Sequence, residues 1–460
     1  MLMRVALINP ANSNDIQSFR WGVGHLGLAY IAAVLEKSGH TVSVIDGKAE
    51  KLSPKSIASR VVESKSLIAG ITAMTHEIYL AHEIACEIKR HNPGIRVIVG
   101  GPHTSALPER TLEEFEAFDV AVSGEGEITM LEIVECFASG DDADLGKVRG
   151  ISYRQNNEIY RNPLREFMSS EDLEELPFPA WHLFPEQGLP MFAGRGCPYR
   201  CKFCMRVLGN RVRIRSPENV VAEIRYLHDR FGKKHSWFQD ETFGLKKQWT
   251  RKFLNKLAEF RSEKDLDWTW KANSRVNLAD QEIYFQMSEQ GCQGLDFGIE
   301  SGNQAILKTI CKDISLDKAR HAIALARRAG MVTEAFFIIG HPNETYRTAL
   351  DTIRFAARLR ADRIAVGVMV PYPGTEIWEM ARQNRGGYSL VSQDWRYYDK
   401  YFGQAIRLDR LSPNRLKVLQ SICYLWFYLR NLRIVDLFRF SSQHSRAVVR
   451  MAGNLLGLRK

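Results

Sequence analysis

Residues 197–204 read CPYRCKFC, which sets Cys197, Cys201 and Cys204 at the spacing Cys-x3-Cys-x2-Cys. The other five cysteines, at 86, 136, 292, 311 and 423, stand singly. Eight cysteines in 460 residues are too few for a disulfide framework, and a tight group of three points to a metal instead. Three thiolates this close cannot share one regular helical face, but they converge on one inorganic cluster if they sit on an irregular loop after a strand. A four-iron cluster takes four ligands, so three cysteines leave one iron open to a chelator such as the amino and carboxylate groups of a methionine moiety. Zinc is the competing metal. Its sites are built from CxxC pairs plus further ligands at set distances, and no second CxxC exists here.

The elements around this loop place other polar residues. Strand-like runs at 191–194, 236–240, 268–272, 295–300, 335–340 and 365–370 are separated by helical patterns, among them 217–231 and 316–329. These make six βα units, and the active sites of βα barrels gather at the carboxyl ends of their strands. Those ends carry Asp240-Glu241, Asn273-Ser274-Arg275 and Glu300-Ser301-Gly302. Each acidic residue alone is an ordinary cap or surface ion pair; their common edge is what groups them.

The first part of the chain repeats the βα rhythm. Apolar runs at 5–9, 41–46, 67–72, 97–101 and 119–124 show little alternation, as strands buried on both faces require. Helical patterns at 26–37 and 81–91 lie between them. The expected fold is a doubly wound, Rossmann-like α/β domain that takes its ligand at the strand carboxyl ends. There the chain places Asn9-Pro10, Thr72 to Thr75, Gly100-Gly101-Pro102-His103 and Gly124-Glu125-Gly126-Glu127. Glycines let a backbone approach a large ligand and turn N–H groups toward it. From 141 to 190 the pattern breaks into short strand-like pieces and an acidic run with Pro177, Pro179 and Pro185, a linker pinned by Phe178, Trp181 and Phe184. The expected division is 1–140, linker 141–190, barrel 191–410 and a helical C-terminal extension at 411–460.

The net charge of +10 is uneven. Residues 411–460 hold nine Lys or Arg against one acid, Asp436, which leaves about +2 for the rest. A nucleic-acid-binding face spread over the molecule is therefore not expected. No apolar stretch reaches the ~20 residues that span a bilayer, and the N-terminus turns polar too soon for a secretory signal. A cytoplasmic chain is expected. The tail, RLKVLQSICYLWFYLRNLRIVDLFRF, reads as an amphipathic helix packed on the barrel. Its alternatives are a peripheral membrane helix and a cap over a lipid-like or anionic substrate.

The cysteine spacing with Phe203 before the last cysteine resembles the signature of the radical S-adenosylmethionine superfamily. GGPH at 100–103 and GEGE at 124–127, behind GHLGLAYIAAVLEKSGH at 24–40, resemble the cobalamin-binding domain that precedes the barrel in many of those enzymes. The resemblance implies that the six βα units form a partial, open (β/α)6 barrel, with a [4Fe-4S] cluster on Cys197, Cys201 and Cys204. It implies S-adenosylmethionine contacts at Phe203, Asp240, Glu241, Ser274, Arg275 and Glu300, with Asp240-Glu241 at the methionine amino group and Glu300 at the ribose. Cobalamin contacts are implied at Thr72, Gly100, Gly101, Pro102, His103, Gly124, Glu125 and Gly126. Two departures stand out. No histidine has Asp two positions earlier, so the Asp-x-His-x-x-Gly cobalt-ligand signature is absent and the corrin is expected to rest on backbone groups. FFIIGHPNET at 336–345 has Phe336 where the family's first Gly stands, with Glu344 offset by one.

The implied reaction is reductive cleavage of S-adenosylmethionine and hydrogen abstraction from an unactivated carbon of a biosynthetic intermediate. Cobalamin would serve methyl transfer or ring-forming and oxidative chemistry, and a flavodoxin or ferredoxin would donate the electron. Two other classes compete: a non-catalytic cobalamin-binding sensor and an iron–sulfur electron-transfer protein. A sensor needs no open-site cluster, and an electron carrier needs no carboxylates at a barrel edge.

Overall fold

The computed structural model describes residues 2–10, 24–140, 142–185, 188–400, 404–433 and 435–437. The chain divides into two compact units, one of Met1–Cys197 with Met205–Ser236, the other of Pro198–Cys204 with Trp237–Lys460.

The first unit is built on five parallel strands: β1 (Arg4–Asn9), β2 (Thr41–Asp46), β3 (Ile68–Thr72), β4 (Arg96–Gly100) and β5 (Val120–Val122). Their order is β2-β1-β3-β4-β5, and the expected linker adds β6 (Ile151–Gln155) and β7 (Glu158–Arg161) antiparallel beyond β5. Leu7 faces Val44 on one side and Gly70 on the other, and five of the six β1 residues are buried. That is why the strand reads as an unbroken apolar run. The sheet order reverses between β1 and β3, the crevice where open α/β sheets take ligands. Helix Leu26–Lys37 is capped by His25, whose Nδ1 accepts the Leu28 N–H at 3.1 Å. Helix Pro217–Phe231 starts on Ser216, which accepts the Asn219 N–H, with Pro217 in the first turn and Gly232 left-handed at its end. Short strands β8 (Pro190–Met191), β9 (Gly194–Arg195) and β10 (Arg213–Ile214) follow, β9 and β10 pairing antiparallel, and β11 (His235–Phe238) holds the boundary between the units.

In the second unit β12 (Thr269–Ser274), β13 (Cys292–Glu300), β14 (Val332–Ile339) and β15 (Arg363–Val368) pair in parallel, in chain order. Phe238, Phe243, Phe253 and Trp270 pack ring on ring at 4.9 to 6.0 Å behind β12. Helix Pro413–Arg430 packs on β15. The Val366 N–H donates to Tyr424 Oη at 2.8 Å, and Gln420 Nε2 donates to Val366 O at 2.7 Å. Leu416, Leu419, Cys423 and Phe427 are buried under the helix, while Leu425, Trp426 and Leu429 are exposed. The tail thus packs as expected as far as it is described; residues 434 and 438–460, with most of the tail's basic residues, lie outside the described residues. Among the described residues no helix is long and apolar enough to cross a membrane.

Candidate functional site

The segment 198–204 is held by its backbone. The Lys202 N–H donates to Ile310 O at 3.1 Å, the Ile377 N–H to Lys202 O at 3.2 Å, and the Cys204 N–H to Cys201 O at 3.1 Å. Lys202 Nζ pairs with Glu376 at 2.8 Å. Cys201 is buried and Cys204 exposed. A hydrogen bond from the Cys204 thiol lowers the Cys201 thiol, and the Lys312 and Arg275 charges help against burial. The same bond pushes the Cys204 thiol up. Arg275 Nη1 reaches Cys201 Sγ at 3.6 Å, Nη2 donates to Lys312 O, and the guanidinium lies 3.5 Å over the Tyr199 ring. Cys197 belongs to the first unit, where its N–H donates to Gly209 O at 3.2 Å. Gly196 before it has φ 89°, and a Cβ there would lie 2.1 Å from Arg211 O, so only glycine makes this turn. Among the described residues no three His, Cys, Asp or Glu side chains are gathered closely enough to hold a metal ion. A thiol held low between two cations nevertheless suits a thiolate ligand.

At the end of β13, Glu300 has φ 73° beside a register shift between Gly298 and Glu300. Its carboxylate pairs with Lys312 at 2.8 Å, both side chains buried. Lys312 Nζ also stands 5.8 Å over the Phe203 ring, and Phe203 lies 6.2 Å from His341. His341 Nε2 contacts Glu300 O at 3.2 Å, and burial holds its imidazole down to about 4. Lys312 escapes sequence reasoning: in the run CKDIS it looks like a surface residue, and no spacing rule ties it to Glu300. Asp240 is buried, with its carbonyl accepting from Asn273 Nδ2 at 3.4 Å, while Glu241 is exposed. Ser274 Oγ donates to Phe243 O at 3.2 Å. Glu344 accepts the N–H groups of Gly340 and His341 and is pushed up to about 7 by burial; it closes the turn after β14.

In the first unit, Gly101 has φ 108°, and a Cβ on it would lie 2.8 Å from Ala73 O and 3.1 Å from Thr72 Oγ1. That glycine serves the close approach of the ends of β4 and β3. A Cβ on Gly100 or Gly124 would have ordinary room, 3.9 and 3.8 Å to the nearest atoms, whereas one on Gly126 would stand 3.0 Å from Ile31 Cδ1. Pro102 opens the short helix Pro102–Ala106, and His103 within it is buried, its imidazole held at about 3 by burial. Glu125 has three protein partners: Arg195 at 3.0 Å, Arg213 at 2.8 Å and the Met168 N–H at 2.9 Å. Arg195 reaches Glu127 as well, at 2.6 Å. Glu125 therefore anchors β9 and β10 to the turn after β5. Sequence reasoning also passed over the pair Lys48–Glu77 at 2.6 Å and the Asn9 to Asp46 hydrogen bond at 2.9 Å, near the switch point. Asn9 Oδ1 and Thr75 Oγ1 are buried there with no hydrogen-bond partner among the described residues. Buried orphaned oxygens are costly and fit a site completed by a polar ligand.

A model of the B12 binding domain matches residues 22–134, and a model of the Radical SAM superfamily matches residues 191–356. An uncharacterized methyltransferase of Pyrococcus horikoshii is 34% identical over 449 residues, 95% of this chain and 95% of the relative. The anaerobic magnesium-protoporphyrin IX monomethyl ester cyclase of Rubrivivax gelatinosus is 29% identical over 394 residues, 82% of this chain and 70% of that one. The fold is similar to that of the radical S-adenosylmethionine methyltransferase TsrM of Kitasatospora setae, with a TM-score of 0.71 at 19% identity over 88% of this chain and 82% of that one.

Proposed function

This chain belongs to the radical S-adenosylmethionine enzymes that carry a B12-binding domain, and on that premise we propose which residues run its chemistry and which reaction they serve. Its cofactors are a [4Fe-4S] cluster, S-adenosylmethionine and cobalamin. When bound, the cluster supplies the electron that splits S-adenosylmethionine, and cobalamin supplies a methyl carrier or redox partner.

Cys197, Cys201 and Cys204 hold the cluster. The observation that carries this is the Arg275 guanidinium, whose Nη1 donates to Cys201 Sγ at 3.6 Å and so sets a cation against a thiolate ligand. Phe203, Asp240, Glu241, Ser274, Arg275 and Glu300 serve the S-adenosylmethionine end. Asp240 and Glu241 accept from its ammonium, and Glu300 accepts from ribose hydroxyls while Lys312 fixes the carboxylate's orientation. The corrin-facing edge runs through Thr72, Gly100, Gly101, Pro102, His103, Gly124 and Gly126. Glu125 holds the last turn in place, and the orphaned Asn9 and Thr75 oxygens extend the edge. The working division is 1–140 for cobalamin, 141–190 as connector, 191–410 for radical chemistry and 411–460 as a helical extension.

The reaction is methyl transfer to an unactivated carbon of a small molecule, with a flavodoxin or ferredoxin as electron donor. Similarity to a protein named a methyltransferase along 95% of this chain supports that choice; the cyclase relative supports ring closure as a second reading. The exposed Leu425, Trp426 and Leu429 are the surface through which a lipid-like substrate or an anionic membrane would meet the C-terminal helix. Anaerobic reconstitution followed by dithionite and S-adenosylmethionine tests the enzyme reading. Expected are 5′-deoxyadenosine or S-adenosylhomocysteine from the intact protein and neither from Cys201→Ala. A fully loaded cluster that leaves S-adenosylmethionine intact would overturn it.

A further inference from the structure

We propose that Arg275 is a positioning residue for the iron–sulfur cluster: it donates an N–H to the Cys201 sulfur and thereby raises the potential at which the cluster accepts its electron. The role rests on the cysteine assignment above.

Arg275 follows β12 and is 5% exposed. Its contacts are Cys201 Sγ at 3.6 Å, Lys312 O, the Tyr199 ring at 3.5 Å and Asn277 Oδ1 at 3.4 Å. None is a carboxylate. A buried guanidinium cannot shed its proton, and an uncompensated buried charge is expensive. The missing anion is supplied if the neighbouring sulfur is a thiolate within a negatively charged cluster. Lys312, the other nearby cation, is already balanced by Glu300 at 2.8 Å. That leaves Arg275 as the unbalanced positive charge in direct contact with a cluster ligand among the described residues.

A hydrogen bond to a ligand sulfur draws density from it, and a fixed cation stabilises the added electron; both favour the reduced state. The stack on Tyr199, inside the cysteine motif, fixes the guanidinium plane so that one N–H stays aimed at sulfur. Asn277 Nδ2, 3.4 Å from Tyr199 Oη, steadies the ring from its rim.

The test uses the full chain, reconstituted anaerobically with iron and sulfide, as wild type, Arg275→Met, Arg275→Gln and Arg275→Lys. Iron content and the electron paramagnetic resonance of the reduced cluster report loading, and a dye-mediated titration reports potential. Expected are near-stoichiometric loading in all four proteins, the most negative potential in Arg275→Met, and partial rescue by Arg275→Lys. A loaded Arg275→Met or Arg275→Gln at the wild-type potential overturns the proposal. Failure of all three variants to load also overturns it, because a residue that only tunes the cluster is dispensable for assembly. A wild-type protein that takes up no iron sinks the cluster assignment and this role with it.

Discussion

Lys312 Nζ lies 2.8 Å from Glu300 Oε1, with both side chains less than a tenth exposed. The neighbourhood is fitted to the pair: a Cβ at Gly298 would stand 2.5 Å from Glu300 Oε1 and 2.9 Å from Lys312 Nζ. Removing one partner strands a buried charge, at a cost of about 3–5 kcal/mol. Lys312→Met is therefore expected to lower the urea midpoint strongly, and Lys312→Met with Glu300→Gln to recover much of the loss. Unfolding curves of the four corners of that cycle measure the coupling. A single-variant cost under about 1 kcal/mol would mean that water already screens the pair.

Glu125 joins Arg195, Arg213 and the Met168 N–H in one buried cluster. Glu125→Gln keeps the shape but removes the charge that two guanidinium groups share. We expect a loss on the order of 2–4 kcal/mol by chemical denaturation. Glu127→Gln is expected to cost less, since Arg195 would retain Glu125.

Gly101→Ala meets two penalties, a φ of 108° and a 2.8 Å approach to the Ala73 carbonyl. Such a substitution costs roughly 1–3 kcal/mol and parts the ends of β3 and β4. Cobalamin uptake, followed by the corrin absorption of protein loaded with the vitamin, is expected to fall with it. Gly124→Ala is sterically open but carries φ 81°, so it is expected to cost less.

His341 and His103 are kept neutral by burial, at about 4 and about 3 against an ordinary value of 6.5. A lowered imidazole means that the unfolded chain binds the proton more readily. The stability these groups contribute is complete above about pH 6.5 and drains as the pH falls toward 4, by up to about 1.4 kcal/mol per pH unit for each group. Glu344 works the other way: raised to about 7 from 4.5, it favours the fold below pH 4.5 and loses that advantage as the pH climbs to 7. Urea midpoints from pH 7.5 to 4.5 are expected to slope less steeply with acid in His341→Gln than in wild type, and to fall less between pH 4.5 and 7 in Glu344→Gln.

Local signals made the elements readable. Ser216, Pro217 and Gly232 punctuate their helix in the sequence, and the structure ends it at the same residues. The long apolar runs of the first sheet are what strands covered on both faces require. What the sequence hid are pairings made between distant strand ends. Lys312 meets Glu300 through a left-handed Cys311 and a shift in β13 that no periodicity announces. Arg275 was legible as a residue at the right edge, but its aim at Cys201 depends on the stack against Tyr199. Glycines at strand ends read alike in sequence, yet a Cβ on Gly101 would meet a carbonyl at 2.8 Å and one on Gly100 nothing nearer than 3.9 Å.

The helix Pro413–Arg430 has a meaning for how copies of the protein avoid one another. β15 stands last in its sheet, and an uncovered rim of amide and carbonyl groups invites another strand to join. Tyr424 and Gln420 occupy the N–H and C=O of Val366, the Val368 N–H goes to Lys400 O at 2.7 Å, and Arg433 ties the end of the helix to Asp362 at 3.0 Å. Side chains thus stand where a foreign strand would otherwise dock. A chain shortened before Pro413 would uncover the N–H and C=O of Val366 on that rim, and its first failure would be self-association rather than lost chemistry.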